Sequence, residues 1–488
     1  MLNPTAHELV FIRACVFILT YLPCIIPFLP PPFWVLLPVE ALYYLLILRP
    51  FERRLSHTAR HPPHDADRQA LFKRCLQNVP DPERYLSLWA LGAHPDDIKR
   101  DNVRDFLLWA FFDLDRAVPE IEDELEGYVD ATEELLGRPL APGRGRATPM
   151  RLTIDHVPTR YRSVVWYITV GLVDSATHCH LLWHGFDLWP SSLRTNLLHV
   201  FPPRLMASTE RFRRQSPSDE LCYWYRRPQD LATAALPTLP IVFLHGIGIG
   251  LYPYVSFLAS LPPTSPILAL EILPISMRLT KSNILARPDF IRHLKKILHH
   301  HNIDRFVLVG HSYGTVMATH VLRDSELSLR VEGVMLVDPV TLLLHLPDVA
   351  YNFTRRKPQT ANEWQLWYLA SMDPGIALVL GRHFFWRENI IFKEELVAGR
   401  QAAVCLSSRD LIVDTMAVAR YLINDDGETG KILEAAKESS VMTSTGIELL
   451  WVEVDHAQVF DKSQDYNKVI ETIRRFVSPR TLGTSTHT

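Results

Sequence analysis

Ser312 lies in Gly310-His311-Ser312-Tyr313-Gly314, directly after the apolar run 306–309 and ahead of a helix-like stretch, 315–322. A strand-to-helix turn this tight lifts a serine hydroxyl clear of the backbone. Gly310 and Gly314 are small because the chain passes close to itself there. The same five residues also fit a plain glycine-rich turn with a solvated serine, so the partners decide. A serine hydroxyl is a weak nucleophile until a base takes its proton, and that base must be oriented by a carboxylate. On open α/β sheets such groups gather at the carboxyl ends of strands. Downstream, Asp410 follows the apolar run 402–406 and His456 follows the run 448–454. The set Ser312, Asp410, His456 is equipped for nucleophilic attack on a carbonyl carbon.

Such a reaction also needs donors for the developing oxyanion. The run 241–244 leads into His245-Gly246-Ile247-Gly248-Ile249-Gly250. A glycine-rich turn after a strand can aim a backbone N–H at that charge. The amide of Ile247, paired with that of Tyr313, is the candidate oxyanion hole, with His245 and Gly246 supporting the turn. Competing assignments exist. Asp338 follows the run 333–337 in Leu-Val-Asp-Pro, as a second candidate acid or a plain strand-ending turn. Asp414 reads as the N-cap of a helix over 415–422. Asp455 sits too close in sequence to reach the ring of His456, and His311 points away from its neighbour Ser312.

These residues need elements to hold them. Short β-rich runs at 221–225, 241–244, 267–272, 306–309, 333–337, 402–406 and 448–454 alternate with helical patterns. Near-continuous apolar strands in βαβ alternation predict a parallel sheet covered on both faces. With its elbow at Gly310–Gly314, the His245-Gly246 turn, the Asp410 loop and the terminal Asp455-His456, the chain resembles the α/β-hydrolase superfamily over about residues 221–480. The resemblance implies an α/β-hydrolase fold, a mostly parallel sheet flanked by helices, with Ser312, His456 and Asp410 as nucleophile, base and orienting acid. Some relatives carry the acid at the position of Asp338. A serine at the elbow argues against the epoxide hydrolases and dehalogenases of the family, whose nucleophile is an aspartate. It implies an ester hydrolase working through an acyl-enzyme; an acyltransferase with the same triad, or a non-catalytic scaffold or lipid carrier, are the alternatives. No metal or cofactor is called for. In the family a cap covers the site in the insertion at about 341–400. Here that segment is rich in aromatics, including Tyr351, Phe353, Trp364, Trp367, Phe384, Phe385 and Trp386. An apolar cap suits a hydrophobic, lipid-like ester. Arg355-Arg356-Lys357 reads as a solvated loop.

The N-terminus is of another kind. Residues 9–29 are almost wholly apolar, and 33–48 form a second, shorter apolar run around Pro38 and Glu40. Arg49, Arg53 and Arg54 follow, which places the bulk of the chain on the cytoplasmic side of a membrane. A basic leader region and small-residue cleavage site are missing, so this does not read as a signal peptide. Two full spans or a hairpin dipping in from one face both fit, and the uncharged Pro30-Pro31-Pro32 tip favours the hairpin. The expected organisation is a membrane anchor at 1–54, a mainly helical region at 55–220, the hydrolase domain at 221–480 and a disordered tail at 481–488. Endoplasmic reticulum or lipid droplet are the membranes this fits. The 488 residues carry 51 Lys and Arg against 54 Asp and Glu, so no global field favours nucleic acid. Six scattered cysteines without a Cys-x-x-Cys pair read as buried thiols. His178, His180 and His184 have helical spacing for a metal but no carboxylate or cysteine spaced to complete a site. The expected partners are a hydrophobic ester and a membrane surface; oligomeric state is not legible.

Overall fold

The structure is a computed structural model that describes residues 2–56, 65–210, 213–229, 238–424 and 427–478. The expected tail at 481–488 lies outside these residues. Eleven strands form among them: β1 (Phe186–Trp189), β2 (Val200–Phe201), β3 (Cys222–Arg226), β4 (Ile241–Leu244), β5 (Ile267–Glu271), β6 (Leu279–Thr280), β7 (Phe306–His311), β8 (Val331–Val337), β9 (Gln401–Ser407), β10 (Val441–Met442) and β11 (Glu448–Val452). All seven expected runs are strands, within two residues of the expected bounds. Nine strands build one sheet in the order β1-β3-β5-β4-β7-β8-β9-β11-β10, and β2 pairs with β6 apart from it. The centre, from β5 through β4, β7, β8 and β9 to β11, is parallel, and the edges at β3, β1 and β10 are antiparallel.

Alternate residues of the central strands feed two cores. Val242, Leu244, Leu308, Val334, Leu336 and Val404 face one side. Ile241, Phe243, Val307, Val309, Met335 and Cys405 face the other, under Val469, Ile470, Ile473 and Phe476 of helix Ser463–Val477. Burial on both faces explains why these strands read as unbroken apolar runs.

The sheet starts earlier than the sequence indicated. Strand β1 falls in the region expected to be helical. It is a short edge strand with alternating burial, paired antiparallel to β3, so it lacks the continuous apolar run that marks a central strand. The apolar segment before it forms helix Val164–Trp183. Its Asp174 is held by Arg278 at 2.9 Å and by Arg204, which also pairs with Glu271 of β5 at 2.7 Å. The helical region is therefore tied into the main sheet. It is tied to the cap as well: Arg84 pairs with Asp348, and Trp386 Nε1 donates to the carbonyl of Ala110 at 3.0 Å.

The first apolar run is a 20-residue helix, Ala6–Ile25. The second is longer than its apolar residues suggest, because helical turns continue to Ser56 and give a 26-residue stretch from Pro31. By length and composition both are able to cross a membrane. Phe11, Phe17, Ile18, Phe28, Trp34 and Leu46 are exposed along them. Glu40, which interrupts the second run, is buried. It accepts from the Tyr161 hydroxyl and from the amide of Val164 at 3.0 Å, a carboxylate set against a helix N-terminus.

Candidate active site

Ser312 occupies a left-handed backbone conformation, φ +50°, between β7 and helix Gly314–Leu322. Only a tightly determined turn holds a non-glycine residue there. The determination is steric. A Cβ on Gly314 would lie 2.1 Å from the carbonyl oxygen of Leu244, and one on Gly246 would lie 2.8 Å from Cβ of Ser312. Gly310 approaches the backbone of Gly314 in the same way. The elbow and the turn after β4 are thus pressed together, and the glycines permit the approach.

The structure brings the three expected side chains into line. His456 Nε2 lies 2.9 Å from Ser312 Oγ, and His456 Nδ1–H donates to Asp410 Oδ2 at 2.7 Å. The other oxygen of Asp410 accepts from the amides of Ile412 at 2.7 Å and Val413 at 2.9 Å, which fixes the carboxylate plane. All three residues come from loops at the carboxyl ends of β7, β9 and β11. Burial works against a charged His456 ring, but Asp410 first, then Asp338 and Asp455, outweigh it and the ring is pushed up to about 9.

Of the two candidate oxyanion donors, Ile247 follows β4 and Tyr313 follows Ser312 in the elbow. Among the described residues neither the Ile247 nor the Tyr313 amide donates to a protein acceptor. Both residues line the same cavity as Ser312. His245 does not face that cavity. Its Nε2 accepts from the amide of Ile272 at 2.9 Å, which leaves the proton on Nδ1 to donate to the Gly246 carbonyl at 2.7 Å. It clamps the turn in a neutral tautomer, and burial holds its pKa below the ordinary imidazole value. Gly246 N–H donates to the Tyr254 hydroxyl at 3.1 Å, and that hydroxyl donates to His311 Nδ1 at 2.8 Å. His311 Nε2 then faces Asp338 at 3.8 Å, an electrostatic approach too long for a hydrogen bond.

The competing acid has a different place. Asp338 is fully buried, with φ +44°. Its Oδ1 accepts from the Ser407 amide at 3.0 Å and its Oδ2 from the Ala457 amide at 2.9 Å. It pins the ends of β9 and of the His456 loop, while Asp410 takes the ring. Asp414 caps helix Thr415–Ile423, accepting from the Ala417 amide at 3.0 Å. Asp338, Asp410 and His456 are the group among the described residues whose ligand atoms lie near enough to share a metal ion, within 4.8 Å of one another. The hydrogen bonds above already occupy them. His178, by contrast, is buried with its ring edge-on to Trp224 at 5.1 Å, a packing role.

Ser312 opens onto a narrow apolar cavity of about 60 Å³. Its walls come from three regions: Trp89 and Trp109 from the helical region, Val340 and Ile412 from the sheet loops, and Phe353, Leu380, Phe384 and Trp386 from the cap. Trp89 Nε1 donates to the His345 carbonyl at 3.2 Å and Trp109 Nε1 to Thr153 Oγ1 at 2.8 Å. Their polar edges are satisfied away from the cavity, which leaves their ring faces for it.

Several residues missed in the sequence hold the triad loops from the cap. Arg356, read as solvated, donates Nη2–H to the Leu411 carbonyl at 2.8 Å. Asn352 Nδ2 donates to the Ile412 carbonyl at 3.1 Å. No spacing rule links a cap residue to a loop some sixty positions later. The Asp-Pro turn at Asp338 was the one signal of this second layer.

A family model described as alpha/beta hydrolase fold matches residues 240–383, which contain the β4 turn and the elbow and stop short of Asp410 and His456. A search of curated proteins returns no match. Among solved structures, the chain is similar to carboxylesterase CesB from Bacillus subtilis, at 13% identity over 63% of this chain and 98% of that one, with a TM-score of 0.35. It is similar to naproxen esterase from Bacillus subtilis, at 15% identity over 63% and 98%, with a TM-score of 0.36. A bacterial membrane phospholipase A aligns at 12% identity over 64% and 94%, with a TM-score of 0.38. By its family match over residues 240–383 and by the sheet and elbow described above, the chain has the α/β-hydrolase fold.

Proposed function

We propose that this protein is a serine ester hydrolase for a hydrophobic, lipid-like ester, held at a membrane by its two N-terminal apolar helices. The observation that carries the reading is the Ser312–His456–Asp410 relay opening directly onto an apolar cavity.

In this reading Ser312 Oγ attacks the ester carbonyl carbon as its proton passes to His456 Nε2. The charge forming on the carbonyl oxygen is met by the amides of Ile247 and Tyr313, each worth roughly 10²–10³ in rate. His456 returns the proton to the leaving alcohol, and the acyl group stays on Ser312 with its chain in the cavity. Water, deprotonated by the same ring, releases the acid. Asp410 keeps the ring in the tautomer that points Nε2 at Ser312. Cavity walls of Trp, Phe, Leu and Val offer dispersion and desolvation to a hydrocarbon chain and no partner for a charged one. Exposed apolar residues on the first two helices support a position beside a water-poor phase, where such esters reside.

The test is turnover across p-nitrophenyl esters from acetate to palmitate, with an acyl thioester and a peptide as controls. The reading expects kcat/KM to climb with acyl length by roughly fourfold per methylene accommodated, the value of about 0.8 kcal/mol per buried methylene. A flat or falling series would remove the acyl-cavity assignment.

A further inference from the structure

Asp455 precedes His456 and is itself buried. Its side chain ties two loops and a cap helix together. Oδ1 accepts from the amide of His456 at 2.7 Å and from the amide of Leu411 at 3.1 Å. It therefore spans the loop that carries the base and the loop that carries Asp410. Oδ2 accepts from Asn362 Nδ2 at 2.6 Å. Asn362 is also buried, and it lies on the five-residue cap helix Ala361–Gln365. Neither Asn362 nor Asp455 lines the apolar cavity.

That short helix is held from its other side by the N-terminus. Helix Ala6–Ile25 packs against it. The amide of Leu2 donates to Gln365 Oε1 at 2.7 Å, and the Arg13 guanidinium sits 5.7 Å over the Trp364 ring. Ile12 is the buried residue of the apolar helix. The helix start is fixed as well: Glu363 Oε2 accepts from the amides of Gln359 at 2.7 Å and Thr360 at 3.1 Å. A chain of contacts thus runs from the first apolar helix, through the short cap helix, to the backbone on which His456 is mounted.

We propose that Asn362 and Asp455 form a positioning latch through which the seating of the first apolar helix on the cap sets the placement of His456 against Ser312. The inference rests on the serine-hydrolase reading of the same site. Neither residue touches substrate. Both act on where Nε2 points, and a base displaced by about 1 Å can lose on the order of a hundredfold in rate. A helix buried in a membrane and also latched to the base loop makes the triad responsive to how that helix is seated.

The latch has a reciprocal test. Asn362→Asp places two carboxylates face to face at the 2.6 Å contact. Asn362→Asp combined with Asp455→Asn restores a donor and an acceptor in exchanged positions. The full chain in mixed micelles is assayed with p-nitrophenyl butyrate, and the rate of labelling by a fluorophosphonate is measured in parallel. The latch predicts that Asn362→Asp loses roughly 10- to 100-fold in kcat, with KM within about twofold. The double exchange should recover most of that loss. Ile12→Asp, which unseats the apolar helix, should lower kcat in the same direction with the same KM. Full kcat in Asn362→Asp, or no recovery in a double exchange that keeps its melting temperature, overturns the latch. Unchanged kcat in Ile12→Asp overturns the part assigned to the apolar helix. A wild-type chain that neither turns over the ester nor labels would instead sink the hydrolase reading, and the latch with it.

Discussion

The reacting atoms and the cavity they face are built by different rules. Ser312, Asp410 and His456 sit where strands end, each on a short loop after a buried strand of the parallel sheet. The cavity is lined from helices of the N-terminal region, from the cap and from sheet loops, with Trp109 and Trp386 meeting across almost three hundred positions. The proposed chemistry rests on the sheet, while the cavity's shape is set by the helices laid over it. A change in the first group should remove rate for every substrate. A change in the second should redistribute rate among substrates.

The largest expected effect is at Asp410. Asp410→Asn keeps the size of the side chain but removes the charge that orients and supports the His456 ring, and a loss of about 10⁴ in kcat/KM is expected for all acyl lengths. The variant also tests the electrostatics. His456 must be neutral to accept the Ser312 proton, and its pKa is pushed up to about 9, with Asp410 the leading cause that raises it. Wild-type kcat/KM should therefore keep rising through neutral pH toward about 9. Without the Asp410 charge the residual activity should reach its plateau at lower pH. A loss confined to long esters, or an unmoved pH limb, would break the separation between chemistry and shape at its strongest point.

A smaller and opposite pattern is expected at Trp109. Trp109→Leu removes one ring face from the cavity. It should lower kcat/KM for a long-chain ester by roughly tenfold relative to acetate, the scale of a few lost apolar contacts, and leave kcat on acetate within about twofold. An equal loss on acetate would mean that Trp109 supports the triad and not the acyl chain.

The same division explains what could be read in advance. The seven inner strands were legible as short apolar runs, and four of them end visibly, at Gly310, Asp338, Ser407 and Asp455. The choice of Asp410 over Asp338 was legible from its place after a strand, with Asp338 kept as a second candidate. It is physical here because Asp338 spends both oxygens on the Ser407 and Ala457 amides. Of the cavity walls, the cap side was legible as an aromatic-rich insertion holding Phe353, Phe384 and Trp386, but the walls from the helical region were not. Trp89 and Trp109 lie on helices Pro82–Trp89 and Arg100–Phe112, whose apolar faces have the period of any buried helix. Glu40 was visible as an interruption of an apolar run, but its partners, Tyr161 and Val164, lie more than a hundred residues away. Strand β1 was missed because an edge strand of four residues carries too little alternation to stand out.

Everything proposed for this site depends on Ser312 acting as a nucleophile. The most direct measurement is the mass of the intact chain and its peptides after reaction with a fluorophosphonate. The account predicts one adduct per chain, on the peptide containing Ser312, absent in Ser312→Ala and slowed in Asp410→Asn. An adduct on another residue, or equal labelling of Ser312→Ala, would contradict it.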